Sequence, residues 1–522
     1  MCTLKPFQSH RSLCEPVDAS FWISSRKLHR CLRTPSNRLL DRLCARVMMG
    51  MLVLGVLVLA PSAQCSSVID ITAYGADGND LSDDTAAIQA AVAALSPNGV
   101  LLIPRSPGAF LYQIGAANFE INQPGVRIVV QGHLLGTGLP VSGNHVFIIA
   151  ADDCAIIGEG GVLEGSGQYI LGPDIENGPA LIRAFNVQRC TVDELTLRNG
   201  PHFSVWLGAA GQCTIRRCFL EGGPIENDIQ IHGIFLRGTS DILIEGNRFM
   251  ANSQGGRAGS WIGSTSTSDN VDVRILNNHF GDRHDHAVYC SGLFWSQVSN
   301  NVVRGEGTSA IKTVGTHNIV VQNSIDMQGN NGGIECRNGS NCVVAHNIIN
   351  NYGFVGIQIS KYGSFVGAGM DNLIEGNVLT ADHNAPYVYE GIRVMLPGAV
   401  SRCRIANNTI VGAGLSNKPA ITVYGGAASD AVAICGNTLA QCQADGISVT
   451  NVNCSLISEN IIDVLPSETA IQQNNVVTPN LVKGNLLTEF CGGCGAADLV
   501  EDGKVDLADL ATFSQCWLSG VN

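Results

Sequence analysis

The sequence predicts an all-β solenoid, and three observations carry that expectation. An Asn recurs at positions 247, 278, 301, 323, 347, 377, 408, 437, 460 and 485, at spacings of 31, 23, 22, 24, 30, 31, 29, 23 and 25. Each closes a short phrase of alternating apolar residues, as in DILIEGN, VDVRILNN and CRIANN. A second phrase alternates with the first, a small residue, then Ile or Val, then a variable residue: HGIFL, HAVYC, SAIKT, GGIEC, VGIQI, EGIRV, PAITV, DGISV. Finally, 60 Gly, 6% aromatic and 14% charged residues suit a turn-rich β-protein better than a disordered one. Self-similarity with two or three short strands per period marks stacked turns. A β-sandwich of irregular strands would not space Asn so regularly.

Stacked about 4.8 Å apart, these Asn form an amide ladder, and Asn is also expected to take the left-handed bend between strands. Val, Ile and Leu at alternate positions fill the interior. Spacings near 30 imply a base turn of about 22 to 24 residues with inserted loops, placed at 252–269, 361–371 and 381–389.

Residues 1–47 are polar and basic, and 50–60 (GMLVLGVLVLA) form an apolar run too short to span a bilayer but suited to a signal-peptide core. Residues 1–65 are therefore expected to be a targeting segment, cut near Ala63–Ser66, with Met48 or Met49 as an alternative start and Cys65 as an alternative lipoprotein site. The expected product is secreted or held at the cell surface, with no membrane span in the mature chain. Beyond residue 65 the chain has 22 Lys and Arg against 41 Asp and Glu, a net charge of -19. That argues against nucleic acid as a partner and requires a basic patch or bound cation before an acidic polymer can approach.

Fourteen of the 19 cysteines follow Cys65. Cys154, Cys190 and Cys213, like Cys342, Cys403 and Cys454, are expected at stacked core positions. Cys213 with Cys218 and Cys336 with Cys342 are candidate disulfides in an exported protein. In 68–95, Val68–Ile71 is expected to be a strand and 75–78 a turn. A helix follows, capped by Ser82 or Asp83, with Ile88, Val92 and Leu95 on one face. Its place is over the open end of the solenoid, where an unpaired strand edge would otherwise recruit other chains.

The phrase AYGADGNDLSDDTAAIQAAV, followed by GVLLIPRSPGAFLY and VRIVVQGHLLGTG, resembles the opening of pectate-lyase-superfamily proteins of the rhamnogalacturonase/epimerase type. The resemblance implies a single-stranded right-handed parallel β-helix, pectin-lyase-like, over 66–490, and action on polysaccharide. Hydrolases, lyases, epimerases and non-catalytic spikes share this opening.

The variable residue of the second phrase should stack into one exposed row: Phe235, Tyr289, Lys312, Glu335, Gln358, Arg393 and Thr422. Two residues on lie Arg237, Ser291, Val314, Arg337, Ser360 and Met395. Just before Tyr289, FGDRHDHAVY gathers Asp282, Arg283, His284, Asp285 and His286. Two chemistries fit. In a uronate lyase a base takes the proton α to the carboxylate while a cation holds the developing charge. Lys312, Glu335 and Arg337 suit base, cation ligand or positioning group, and charge stabiliser, with Ca²⁺ as the cation a cleft carboxylate would hold, and their stretch is similar to the Lys-then-Arg coil of alginate and chondroitin β-helix lyases, with Asn338 where those place a His. A glycoside hydrolase needs paired carboxylates, for which Asp282, Asp285 and Glu335 are candidates. His286 is a third titratable candidate, and Phe235, Arg237, Tyr289, Gln358 and Arg393 are candidate substrate contacts. Binding without catalysis, as in an adhesin, is a further alternative.

Past Glu489 the composition changes. Asp498, Asp502, Asp506 and Asp509 have calcium-loop spacing, with Gly503 at the sharp turn, and LADLATFSQCWL continues as an amphipathic helix. Residues 491–522 resemble half of a dockerin repeat, with Val500 where a ligand is expected. That implies Ca²⁺ and a cohesin-like or cell-surface partner. An acidic linker with a terminal helix is the alternative.

Overall fold

A computed structural model describes residues 67–489, apart from 107–110, 116–117, 138–144, 167–177, 223–231, 252–257, 265–267, 282–283, 306, 328–331, 362–368, 383–388, 397, 399, 415–417, 466 and 477–479. Alternation of apolar residues produces the expected short strands. They pair in parallel into three long sheets of 17, 15 and 16 strands among the described residues. The chain visits the three sheets in rotation, so each turn contributes one strand to each. Interior positions stack like on like: Ile244, Ile275, Val298 and Val320 in the first sheet, Phe249 and Phe280 in the second, and Ile311, Ile334 and Ile357 in the third. All of these side chains are fully or almost fully buried, and burial of this continuous apolar column is the main favourable term.

The Asn ladder runs along the corner between the first and second sheets. Asn347 is typical: its Nδ2 donates to Val320 O (2.9 Å) and to Asn377 Oδ1 (2.9 Å), while its Oδ1 accepts from Asn323 N and Nδ2 (3.0 Å each). The pattern repeats from Asn247 to Asn485. One expectation is corrected. The left-handed residue is not the ladder Asn but the one before it: Gly246, Asn277, Asn300, Gln322, His346, Gly376, Asn407, Gly436, Glu459 and Gly484, with φ between 55° and 66°. The bend turns the following Asn inward, where its amide meets the next turn.

The helix at the N-terminal end spans Thr85–Ala93. The expected strand precedes it as Val68–Asp70, one residue shorter than the sequence suggested, and a 3-10 turn that the sequence did not suggest follows over Ile71–Tyr74. The N-cap of the helix is Asp84, without a side-chain capping bond. Asp84 is instead buried, its carboxylate accepting from Asp77 N (2.7 Å) and Gln113 N (3.1 Å), which ties the preceding turn to the first coil. Ile88, Val92 and Leu95 join the interior core, so the helix covers that end as expected.

Every described cysteine is a free thiol, including both proposed pairs, Cys213 with Cys218 and Cys336 with Cys342. Most sit in the core as small apolar groups, but Cys454 is exposed on a left-handed residue (φ 52°), and Ser455 takes the stacked position. Burial pushes the thiols of Cys218, Cys290 and Cys442 up to about 12. Among the described cysteines, native-state alkylation read by mass spectrometry should therefore mark Cys454 first and leave these three unmodified until unfolding.

One supposed insertion is structure of another kind. Ala258–Ser264 is a strand of the third sheet, and Gly263 stands in the row between Phe235 and Tyr289. The rest of the proposed insertions falls largely outside the described residues, as do 1–65, Asp282, Arg283, and 491–522 with Asp498, Asp502, Asp506 and Asp509. No helix among the described residues is long and apolar enough to cross a membrane.

Candidate functional site

The third sheet sets the predicted row in strict register: Tyr289 beside Lys312, then Glu335, Gln358, Arg393 and Thr422. In the row two residues on, Ser291, Val314, Arg337, Ser360 and Met395 stand side by side. A cleft of about 320 Å³ opens over Lys312, Glu335, Arg337, Gln358 and Arg393, walled by Thr308, Ser309, Phe354 and Val355. Its volume lies in the range of small-ligand sites.

Glu335 is the centre of this cluster. Its carboxylate accepts from Arg337 Nε (2.6 Å), lies 3.6 Å from Lys312 Nζ, and has weaker contacts at 3.4 Å with Gln358 Nε2 and Ser360 Oγ. Lys312 and Glu335 are only 9% and 8% exposed, so the row is mostly recessed rather than open to water. Lys312 Nζ also stands 4.6 Å from the Tyr289 ring centroid, close enough for a cation–π contact. One step further, Gln358 Oε1 accepts from Arg393 Nη1 (3.4 Å), and Arg393 pairs with the buried Glu390. The Arg393 guanidinium faces the rings of Phe354 (5.3 Å) and Tyr389 (5.8 Å). Two cations, Lys312 and Arg337, thus hold one carboxylate with its lone pairs engaged, and Arg393 adds a third positive group two strands on, a poor setting for a calcium ion but a good one for a carboxylate brought by a ligand.

The remaining candidates sit differently. Asp285 is half-buried and not among the cleft's walls, and its carbonyl accepts from Thr308 N (2.8 Å). His286 belongs to the third sheet and is satisfied on both nitrogens, Nδ1 donating to Ser309 O (2.9 Å) and Nε2 accepting from Thr308 Oγ1 (3.2 Å). Burial, helped by Lys312 and Arg337, lowers its pKa to about 4. Phe235 departs from its assigned role. It is 1% exposed and stacked on Phe203 (4.7 Å), in an apolar cluster with Ala180 and Trp206 on the outer face of the sheet. Arg237 is half-buried in the second row beside Gly208.

Sequence reasoning missed Phe354 and Tyr389, which lie on connecting segments, and Glu390, which opens the phrase EGIRV at a position that other turns fill with unrelated residues. It also missed Arg183 and Trp206, which continue the row in register through Phe235. Extending the second phrase to ALIRAF and FSVWLG, with Ile182 and Val205 inside, would have found both.

Residues 159–326 match the family model described as right handed beta helix region. The chain is a right-handed parallel β-helix. Solved structures with similar coils include the surface adhesin PfbA of Streptococcus pneumoniae, at 13% identity and TM-score 0.46 over 78% of this chain and 91% of that one. The tailspike of E. coli bacteriophage HK620, in complex with a pentasaccharide, gives 14%, 0.47, and 78% of each chain. A family 28 exopolygalacturonase of Yersinia enterocolitica gives 12% and 0.47, over 81% of this chain and 79% of that one. No curated protein matches the chain. These likenesses concern fold and leave the chemistry to the site itself.

Three buried histidines make stability depend on pH. His145, His202 and His286 each have a folded-state pKa lowered from 6.5 to about 4, chiefly by burial. Between those values the unfolded chain binds more protons than the folded one, so stability present above pH 6.5 is lost as pH falls towards 4. Urea denaturation midpoints measured across that window should fall steadily. A flat profile would mean that these histidines are hydrated in the native state.

Proposed function

We propose that the chain is an exported polysaccharide-active enzyme that cleaves a uronate-containing polymer by β-elimination in the cleft over Lys312, Glu335 and Arg337. The observation that carries this reading is the arrangement of charge: among the described residues lining the cleft, Lys312 and Arg337 flank the one lining carboxylate, Glu335, and Arg393, itself paired with Glu390 behind the lining, stands two strands further on. A glycoside hydrolase of this fold needs two carboxylates about the scissile bond, whereas elimination needs cations at the substrate carboxylate and a base near its α-proton.

In this scheme Arg337, with Arg393 one side of it, receives the substrate carboxylate and stabilises the charge that develops on it. Lys312 acts in its neutral amine form, having first released its ammonium proton to solvent, and takes the α-proton. The C–H electron pair becomes the new C=C bond, the bond to the leaving oxygen breaks, and that oxygen takes a proton from water. Glu335 acts through its neighbours, holding Lys312 and Arg337 in place. Tyr289, Phe354 and Tyr389 offer ring faces to the sugar.

The deciding experiment incubates residues 66–522 with uronate and neutral polysaccharides, following ultraviolet absorbance of an unsaturated sugar beside reducing ends. Both rising together supports the lyase. Reducing ends rising alone would replace it with a hydrolase, and no change on any substrate would leave a glycan-binding or adhesion role.

The same reading takes residues 1–65 as an export signal and 491–522 as a dockerin-like docking segment using Ca²⁺ at Asp498, Asp502, Asp506 and Asp509. Since the cleft's own donors suit an anion, cleavage is expected to survive a calcium chelator, whereas attachment to a docking partner is expected to be lost. Loss of cleavage on chelation would move calcium into the cleft.

A further inference from the structure

A second cluster on the same sheet is not used by the scheme above. In the row that leads to Lys312, Arg183 stands five strands earlier, in register through Trp206, Phe235, Gly263 and Tyr289. Its guanidinium lies 4.7 Å from the Trp206 ring centroid and 5.8 Å from that of Phe185, which is 51% exposed. Among the described residues it has no carboxylate partner, and its one polar contact is His145 Nε2, at 3.1 Å.

That contact conflicts with the rest of the imidazole's bonding. His145 is buried, and the backbone N–H of Ala180 donates to its Nδ1 (3.1 Å). A neutral imidazole has one acceptor nitrogen. The buried Ala180 N–H has the stronger need of it, since an orphaned backbone donor is costly, whereas Arg183 is only half-buried. The tautomer follows: Nε2 carries the hydrogen and faces Arg183 Nη1, also a donor. With that tautomer the Arg183 N–H meets a second donor instead of an acceptor, so its hydrogen-bonding capacity there is left for an acceptor that enters beside the two nitrogens. Burial, and after it the positive charge of Arg237, lowers the Arg183 pKa, while burial, helped by Arg183, lowers that of His145 to about 4 and keeps it neutral.

We infer that Arg183 and His145 form a distal anion subsite, with the Phe185 ring as a wall, that takes a carboxylate or sulfate group of the same polysaccharide chain that enters the Lys312 cleft. This rests on the uronate reading of that cleft. Five strand steps separate Arg183 from Lys312, about 24 Å, so one extended chain lying along the row reaches both. Two tethered contacts act as one multivalent site, and the protein should favour oligomers long enough to span them.

The test compares binding of short and long uronate oligomers by calorimetry, using the full mature chain and an inactive Lys312→Ala background to prevent cleavage. Long oligomers should bind about tenfold more tightly than short ones, the worth of a charge-assisted contact, and Arg183→Gln should bring that ratio to about one. An unchanged ratio in Arg183→Gln would overturn the subsite while leaving the cleft reading intact. Should Arg183→Gln fail to fold, Arg183→Lys, which keeps charge without the fork, should retain part of the ratio, and full retention would overturn the subsite.

A second arm is independent of the cleft. Inorganic sulfate should raise the titration midpoint of His145, followed by NMR, in the wild type and not in Arg183→Gln. If no uronate oligomer of any length binds, the cleft reading falls. The subsite then stands on a sulfate-induced shift and falls without one. Sulfated against unsulfated oligomers of equal length distinguish the two anions.

Discussion

Replacing Lys312 by Ala is expected to lower turnover of a uronate polymer by about 10²- to 10⁴-fold, the usual worth of a positioned proton-transfer group. The loss should appear in kcat more than in KM, because Arg337 and Arg393 remain to hold the substrate carboxylate. Glu335→Gln provides the contrast. It keeps a polar group of similar shape but removes the charge that Arg337 (2.6 Å) and Lys312 (3.6 Å) meet. A positioning role predicts a smaller loss, a shifted pH profile and a raised KM as Arg337 drifts. If Lys312→Ala retained wild-type turnover, the cation row would be cross-strand pairing and the elimination scheme would fall.

Asn347→Ala is expected to cost about 3–5 kcal/mol of stability, because several buried groups lose partners at once at about 1–3 kcal/mol each. Asn347 is fully buried, and its removal takes the acceptor from Asn323 N, one of three from Asn323 Nδ2, which keeps the Val298 and Val321 carbonyls, and a donor each from the Val320 carbonyl and Asn377 Oδ1. At the end of the ladder, Asn485 makes equivalent bonds to Asn460 (3.0 and 2.8 Å) but is only half-buried, so water can replace them. Asn485→Ala should therefore cost clearly less. Chemical denaturation of the two variants checks the ladder, and equal costs would show that it contributes packing rather than hydrogen bonding.

The ladder was legible because one residue type occupies one geometric place, where its short amide both donates and accepts along the stack. The left-handed position beside it was not, since Gly, Asn, Gln, His and Glu all fill it. Its identity is set by backbone geometry rather than by side-chain chemistry. The outward row was legible in its members and misjudged in its exposure. Phe235 faces outward yet meets Phe203 and Trp206 of the preceding turn, and such neighbours are settled by register between turns. Cys454 was displaced by one residue for a related reason: a phrase that begins with Cys elsewhere begins here with a left-handed turn residue, and Ser455 inherits the stack.

By itself the sequence determined the stack: two or three short strands per turn, an apolar interior, an Asn ladder and a helix at the first coil. These follow from periodicity, which every turn repeats and reinforces. Only the tertiary structure decided what converges. Tyr289, Lys312, Glu335, Gln358 and Arg393 are more than twenty residues apart in sequence yet adjacent across the sheet, because parallel register converts one turn of chain into one strand spacing. Which of those outward residues pair, which are recessed, and where Glu390 or His145 joins them depends on contacts between turns, and a one-dimensional repeat carries no record of those.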